Sequence, residues 1–293
     1  MKIQIICGFL GAGKTTLLKN ILQQRGTDTA VLVNEFGELG IDGTLISEGS
    51  NLNVIEMPSG CICCSLKKNL VEAVRDILRN IKPKYLIIEP SGVASPSSVL
   101  LGLKEAEFGG EVEFAPVLGV IDLTFYPKVI DEDLMASFFK DQILNSDILL
   151  LNKADLVSNE ILEKCRNAIS ALNPSAIIIP TIYCNTELPN VSAKEEIVHF
   201  HFTPIFTAEA IILSGIIDRS KINSLLQKLA NKEFGNVFRA KGIVLTEQGP
   251  STFDYVHGLI NFGTLQEAKE NKFVFIGRDI QRLKIENFLR GDK

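Results

Sequence analysis

Gly8-Phe9-Leu10-Gly11-Ala12-Gly13-Lys14-Thr15 fits the pattern G-x-x-x-x-G-K-[ST], and its flanks matter as much as the string itself. Residues 2–7 before it are mostly apolar and β-prone. Thr15–Gln24 after it has helical composition, with Leu17, Leu18, Ile21 and Leu22 as its apolar residues. Strand, glycine loop and helix in this order aim consecutive backbone N–H groups and the partial positive charge of a helix N-terminus at a phosphate. Gly8, Gly11 and Gly13 allow backbone shapes and a close approach that a Cβ would block. Lys14 would bridge the β- and γ-phosphates, and the Thr15 hydroxyl would ligate Mg²⁺. Ala12 and Thr16 complete the set of nucleotide-binding residues expected here. A chance glycine-rich turn is the competing reading, and the strand and helix on either side argue against it.

Working outward, short apolar runs recur at Ala30–Val33, Val54–Met57, Tyr85–Ile88, Val117–Ile121, Ile148–Leu151 and Ala176–Ile179. Segments long enough for helices separate them, with candidates at Leu66–Ile81, Asp133–Leu144 and Asn159–Leu172. This alternation predicts an α/β fold: a mostly parallel sheet covered by helices on both faces. Between Asn185 and Pro204 the rhythm lapses into polar residues with Pro189 and Pro204, which reads as a linker. Beyond it come a helix over Arg219–Ala230, β-like runs at Ala240–Leu245, Thr252–Asn261 and Phe273–Ile276, and a last helix near Ile280–Leu289. The expected division is residues 1–190 for a nucleotide-binding domain and 200–293 for a small α+β domain.

The chain has 293 residues, 46% hydrophobic and 22% charged, which fits a folded globular protein and excludes disordered, collagenous and coiled-coil classes. Lys+Arg 30 against Asp+Glu 35 gives a net charge of -5. No bulk positive field exists to hold nucleic acid or an anionic membrane surface. The apolar runs are far shorter than the roughly 20 residues of a membrane span, so no membrane association is expected despite a mean hydropathy of +0.19. The first residues meet Lys14 without a small-residue cleavage site, so the chain reads as cytoplasmic.

Asn152-Lys153-Ala154-Asp155 follows the apolar run Ile148–Leu151. In an N-K-x-D pattern one carboxylate accepts hydrogen bonds from both guanine N1–H and the exocyclic amine, which adenine cannot supply, and so selects GTP. The plainer alternative is an Asp capping a helix. Tyr85–Ile88 ends in Glu89, with Gly92 three positions later; Glu89 is placed to act on Mg²⁺, and the Gly92 N–H to sense the γ-phosphate. A solvated acid at a strand end is the alternative for Glu89.

Six cysteines are too few for a disulfide scaffold, and three of them stand together at Cys61, Cys63 and Cys64, just before a predicted helix. Thiols at i, i+2 and i+3 on a turn can converge on one ion, and thiolates favour Zn²⁺, Cu⁺ and similar metals. A redox pair or small buried hydrophobes are the other readings. Cys7, Cys165 and Cys184 lie in or beside apolar segments and read as packing residues.

Gly8 to Thr16, Val33-Asn34-Glu35-Phe36-Gly37-Glu38, Gly60 to Cys64, Glu89 to Gly92 and Asn152 to Asp155, in this order, resemble the CobW family of P-loop GTPases. That family is grouped with the nickel-insertion GTPases HypB and UreG and with MeaB-type GTPases. Arg239–Ile243 and Val274–Arg278 resemble its C-terminal domain, so the resemblance covers nearly the whole chain. It implies a metallochaperone or metal-dependent GTPase handling zinc or cobalt, with Cys61, Cys63, Cys64 and Glu38 as metal ligands. Glu35 joins Lys14 and Glu89 as a catalytic candidate, on Mg²⁺ or on the attacking water. A histidine-rich run common in the family is represented only by His199 and His201, which read as ordinary polar surface.

The loop Asn34–Ser47 would be ordered by GTP and Mg²⁺ and released on hydrolysis, coupling metal affinity to the nucleotide. The expected partners are a client metalloenzyme or a cobalamin-related protein, with a homodimer as a further possibility. Three alternatives stay open at this level: a GTPase chaperone of a cobalamin enzyme that carries no metal, a small-molecule kinase, and a thiol metal-storage module.

Overall fold

The computed structural model describes residues 1–25, 28–33, 53–56, 65–90, 95–129, 133–198, 206–256 and 258–291. The first half builds β1 (Lys2–Gly8), α1 (Lys14–Arg25), β2 (Thr29–Val33), β3 (Asn53–Glu56), α2 (Ser65–Asn80), β4 (Tyr85–Glu89), α3 (Pro96–Glu105) and β5 (Glu113–Phe114). It continues with β6 (Leu118–Asp122), α4 (Tyr126–Val129), α5 (Asp133–Leu144), β7 (Ile148–Asn152), α6 (Asn159–Leu172) and β8 (Ile177–Thr181). The strands run parallel in the order β3-β2-β4-β1-β6-β7-β8, with β5 adding a short pairing beside β1.

Both faces of the central strands β1, β2, β4, β6 and β7 are buried, which is why these strands are continuous apolar runs rather than alternating ones. Ile6 of β1 joins Leu17, Leu18 and Ile21 of α1 in one core, together with Val31, Ile87, Val120 and Leu150. Ile3, Ile5 and Cys7 point the other way, toward Leu70, Val74 and Ile77 of α2 and Val99, Leu100 and Leu103 of α3. The strand order reverses at β1: β2, β3 and β4 lie to one side, β6, β7 and β8 to the other. Open α/β sheets bind ligands at such a switch point, beyond the carboxyl ends of the strands, and the glycine loop leaves β1 there.

The second half comprises β9 (Thr207–Leu213), α7 (Arg219–Ala230), β10 (Asn236–Thr246), β11 (Gly249–Val256), β12 (Leu259–Thr264), β13 (Asn271–Arg278) and α8 (Arg282–Arg290). The chain divides into two compact units, one holding β1 to β8 and the other β9 to α8. The second is an antiparallel sheet in the order β12-β11-β10-β13-β9. Its core joins Leu225, Leu226 and Leu229 of α7 and Ile285 of α8 to Phe253, Phe273 and Phe275 of the sheet.

Two sequence expectations change. The run Thr252–Asn261, read as one strand, is a hairpin in which β11 ends at Val256, Gly258 takes φ +88° and β12 begins at Leu259. The apolar pattern continues through the turn, so only one glycine marks it. The stretch read as a linker is bound to the first unit as far as Val198. Leu188 and Val191 pack on the α1 core and Ile197 on the opposite one. The Lys194 N–H donates to Asp147 (3.0 Å), and its ammonium donates to the Ser146 carbonyl (3.1 Å) and to Asn173 (2.9 Å). Asn145 brackets Val198, donating to its carbonyl (3.1 Å) and accepting from its N–H (2.9 Å). Polar residues that suggest a tether are here the anchors of a strap. Among the described residues no helix is long and apolar enough to cross a membrane.

Candidate functional site

The glycine loop closes on itself through the Ala12 N–H, which donates to the Phe9 carbonyl (3.2 Å), and α1 begins with the Leu17 N–H donating to Gly13 (2.9 Å). Phe9 is the loop's anchor. It is 1% exposed and packs against Phe125, Phe138 and Phe139 at ring separations of 5.3, 5.4 and 5.5 Å. Gly8, Gly11 and Gly13 all take positive φ. At Gly13, φ is +114° and a Cβ would lie 2.5 Å from the Asn152 amide nitrogen, so two separate constraints exclude a side chain. Lys14 is buried, and its ammonium reaches back to the Phe9 carbonyl at 3.3 Å. Ala12 is fully buried and Thr16 partly so.

Thr15 and Glu89, which are 74 positions apart, meet: the Thr15 hydroxyl donates to Glu89 Oε1 at 3.2 Å. The pairing follows from the sheet, because β1 and β4 are parallel neighbours and the helix after β1 opens beside the end of β4. A hydroxyl and a carboxylate are hard oxygen donors, and beside a phosphate-binding loop they fit Mg²⁺.

β7 ends at Asn152, 3% exposed, whose amide donates to the Ala12 carbonyl (2.8 Å). Its carbonyl oxygen accepts from the Cys184 N–H (2.9 Å) and the Thr181 hydroxyl (3.2 Å). The Asn152–Asp155 segment is thereby bolted to the glycine loop and to the turn after β8. Lys153 takes φ +64°, and Asp155 follows on a short 3₁₀ turn, Ala154–Leu156, with its carboxylate exposed. The helix-capping alternative for Asp155 is not realised: α6 begins at Asn159 and is capped by Ser158.

Several contributors were not assigned to the site from the sequence. Asp122 ends β6 beside Asn152 and pairs with the Lys153 ammonium; the signal was an acid closing an apolar run, as Glu89 does. Cys184 packs against Gly13, while the amide of Asn20 on α1 donates to the carbonyls of Tyr183 (3.0 Å) and Cys184 (3.2 Å). Burial pushes the Cys184 thiol up to about 12, and the Cys7 thiol up to about 11 although its bond to Ser146 pulls the other way. Both stay neutral thiols near pH 7 and fill space. Glu35, Glu38, Cys61, Cys63, Cys64, Gly92, the loop Asn34–Ser47, and His199 and His201 lie outside the described residues. Among the described residues, no group of three or more His, Cys, Asp or Glu is placed to hold a metal ion.

Residues 2–180 match the family described as "CobW/HypB/UreG, nucleotide-binding domain". The chain belongs to the CobW/HypB/UreG family. Residues 210–291 match the "Cobalamin synthesis protein cobW C-terminal domain". Among its CobW relatives, a protein named zinc chaperone CobW from Pseudomonas aeruginosa is 32% identical over 208 residues, which is 61% of this chain and 56% of that protein. A zinc-regulated GTPase metalloprotein activator 1 from Schizosaccharomyces pombe is 35% identical over 191 residues, 62% of this chain and 46% of that protein. The chain spans about half the length of the curated relatives it matches. A solved Zn(II)-bound YjiA GTPase from E. coli aligns with 100% of this chain and 99% of its own, at a TM-score of 0.45 and 21% identity.

Proposed function

We propose that this CobW-family chain binds and hydrolyses GTP and uses the cycle to hold a transition metal, zinc first and cobalt second, and pass it to a client protein. The observation that carries the nucleotide half is the placement, at the carboxyl ends of the parallel strands, of Lys14, the Thr15–Glu89 pair and Asn152, the last bonded to the phosphate loop itself. Backbone N–H groups from Gly8 to Thr15 and the Lys14 ammonium meet the phosphates, where they oppose charge developing on the transferred phosphoryl oxygens. Thr15 and Glu89 would hold Mg²⁺, which would supply positive charge against the phosphates. Asp155, exposed beside Asn152, accepts from the guanine N1–H and amine. Gly92 senses the γ-phosphate, and Glu35 acts on Mg²⁺ or on the attacking water.

The metal half rests on Cys61, Cys63 and Cys64 with Glu38, and on relatives that carry the name zinc chaperone. The cysteines stand just before α2, where a helix N-terminus favours thiolate. Such a cluster belongs in a reducing compartment, which fits a cytoplasmic protein. The client is a metalloprotein or cobalamin-related protein that accepts the released ion.

The test is turnover and nucleotide choice on the purified full chain. GTP should bind far more tightly than ATP. Lys14→Ala should lower hydrolysis at least about 10²-fold while the circular dichroism spectrum stays that of the folded protein. Equal affinity for ATP and GTP, or unchanged turnover in the variant, would refute the GTPase reading.

A further inference from the structure

Lys153 stands inside the base motif, yet its ammonium is already engaged. It donates to Asp122 Oδ2 at 2.5 Å, in a pair whose side chains are 22% and 7% exposed. The acid is fixed independently of the lysine. Its other oxygen accepts from the Thr124 N–H (2.8 Å) and the Thr124 hydroxyl (2.6 Å). Asp122 and Asn152 are register partners at the ends of β6 and β7, and the Leu123 N–H donates to the Asn152 carbonyl (3.1 Å). Lys153 itself sits in the left-handed region, which is unfavourable for a residue with a Cβ and persists only where its surroundings enforce it.

With the ammonium held by a buried acid, what Lys153 offers a ligand is its methylene stem. A flat apolar stem suits the face of a heteroaromatic base and ignores the groups on the base's edge. We propose that Asp122 is the positioning residue of the base site. By holding the Lys153 ammonium it fixes the stem as a platform for the nucleotide base. Face affinity and edge identity are then controlled by two different acids, Asp122 and Asp155. The inference rests on the guanine-nucleotide reading above.

The test uses Asp122→Asn on the full chain, which keeps the shape and an oxygen for Thr124 but removes the charge. Affinities for GDP and for IDP, which lacks the exocyclic amine, should both fall about tenfold, about 1.4 kcal/mol. The ratio between them should not change, and the loss in turnover should appear in KM rather than kcat. Asp155→Ala should instead weaken GDP more than IDP. Lys153→Met, which keeps an unbranched stem but no ammonium, should lose as much as Asp122→Asn, and the double variant no more than either single one.

Unchanged GDP affinity in folded Asp122→Asn, or the same further loss in the Lys153→Met background, would make Asp122 a turn residue and overturn the proposal. Should Asp122→Asn fail to fold, Lys153→Met alone decides: equal losses for GDP and IDP support the proposal, and no loss overturns it. A wild-type chain that binds neither GDP nor IDP would instead remove the guanine reading beneath it.

Discussion

Asn152 accounts for three hydrogen bonds from one buried side chain, to the phosphate loop, to Thr181 and to the Cys184 backbone. Gly13 lies directly against it, so a Cβ there would have to displace the amide as well as tolerate a positive φ. Gly13→Ala should therefore cost about 1–3 kcal/mol of stability, visible as a lower urea midpoint. It should also weaken GDP, because the phosphate loop and the base motif shift together. Wild-type stability and affinity in this variant would contradict the coupling. Both residues are legible in the sequence as motif members, but their contact is not: they are 139 positions apart and no periodicity joins them. Asp122 is hidden for the same reason, since its meaning comes from a strand neighbour.

α5 shows how one element can organise others. Asp141 is 1% exposed and accepts from the hydroxyl of Ser95, the N-cap of α3 (2.6 Å), and from the Asn145 amide (2.8 Å). One turn on, Asn145 holds Val198 of the strap. Burial raises the Asp141 carboxyl above its ordinary value, although the hydrogen bonds from Ser95, Ser97 and Asn145 pull it down. Unfolded, it titrates at the ordinary pH of an aspartate carboxyl. Between that pH and its raised folded value the folded state binds more protons, so stability falls as pH rises through this window and levels off above it. Asp141→Asn should remove that slope in urea unfolding curves measured stepwise upward from pH 4; parallel curves for the two proteins would contradict it. The bounds of α5, α6 and α7 were legible from their apolar period, and those helices fall on Asp133–Leu144, Asn159–Leu172 and Arg219–Ala230. α3 was not, because it opens on Pro96 directly after a polar, glycine-containing stretch. The strap was misread because polar anchoring residues and loop residues look alike in sequence.

At the scale of the molecule, short apolar runs alternating with helices dictated the parallel sheet, and the switch point at β1 dictated where the phosphate loop stands. The antiparallel second unit was legible as α+β from the change of pattern after Pro204. Its hairpin was not, for want of a marked turn. The proposed cycle joins the nucleotide site to the cysteines, whose role rests on spacing and on relatives. In such a cycle GTP and metal are mutual effectors, with a coupling of about 1–3 kcal/mol, the same in both directions. The most direct measurement is zinc affinity of the full chain at buffered free zinc with GTP·Mg²⁺, with GDP·Mg²⁺ and without nucleotide, alongside GTP affinity with and without zinc. GTP·Mg²⁺ should tighten zinc by about 5- to 150-fold, zinc should tighten GTP by the same factor, and Cys63→Ser with Cys64→Ser should abolish both effects. Identical zinc affinity in all three nucleotide states would contradict this coupling and leave the cysteines a static site.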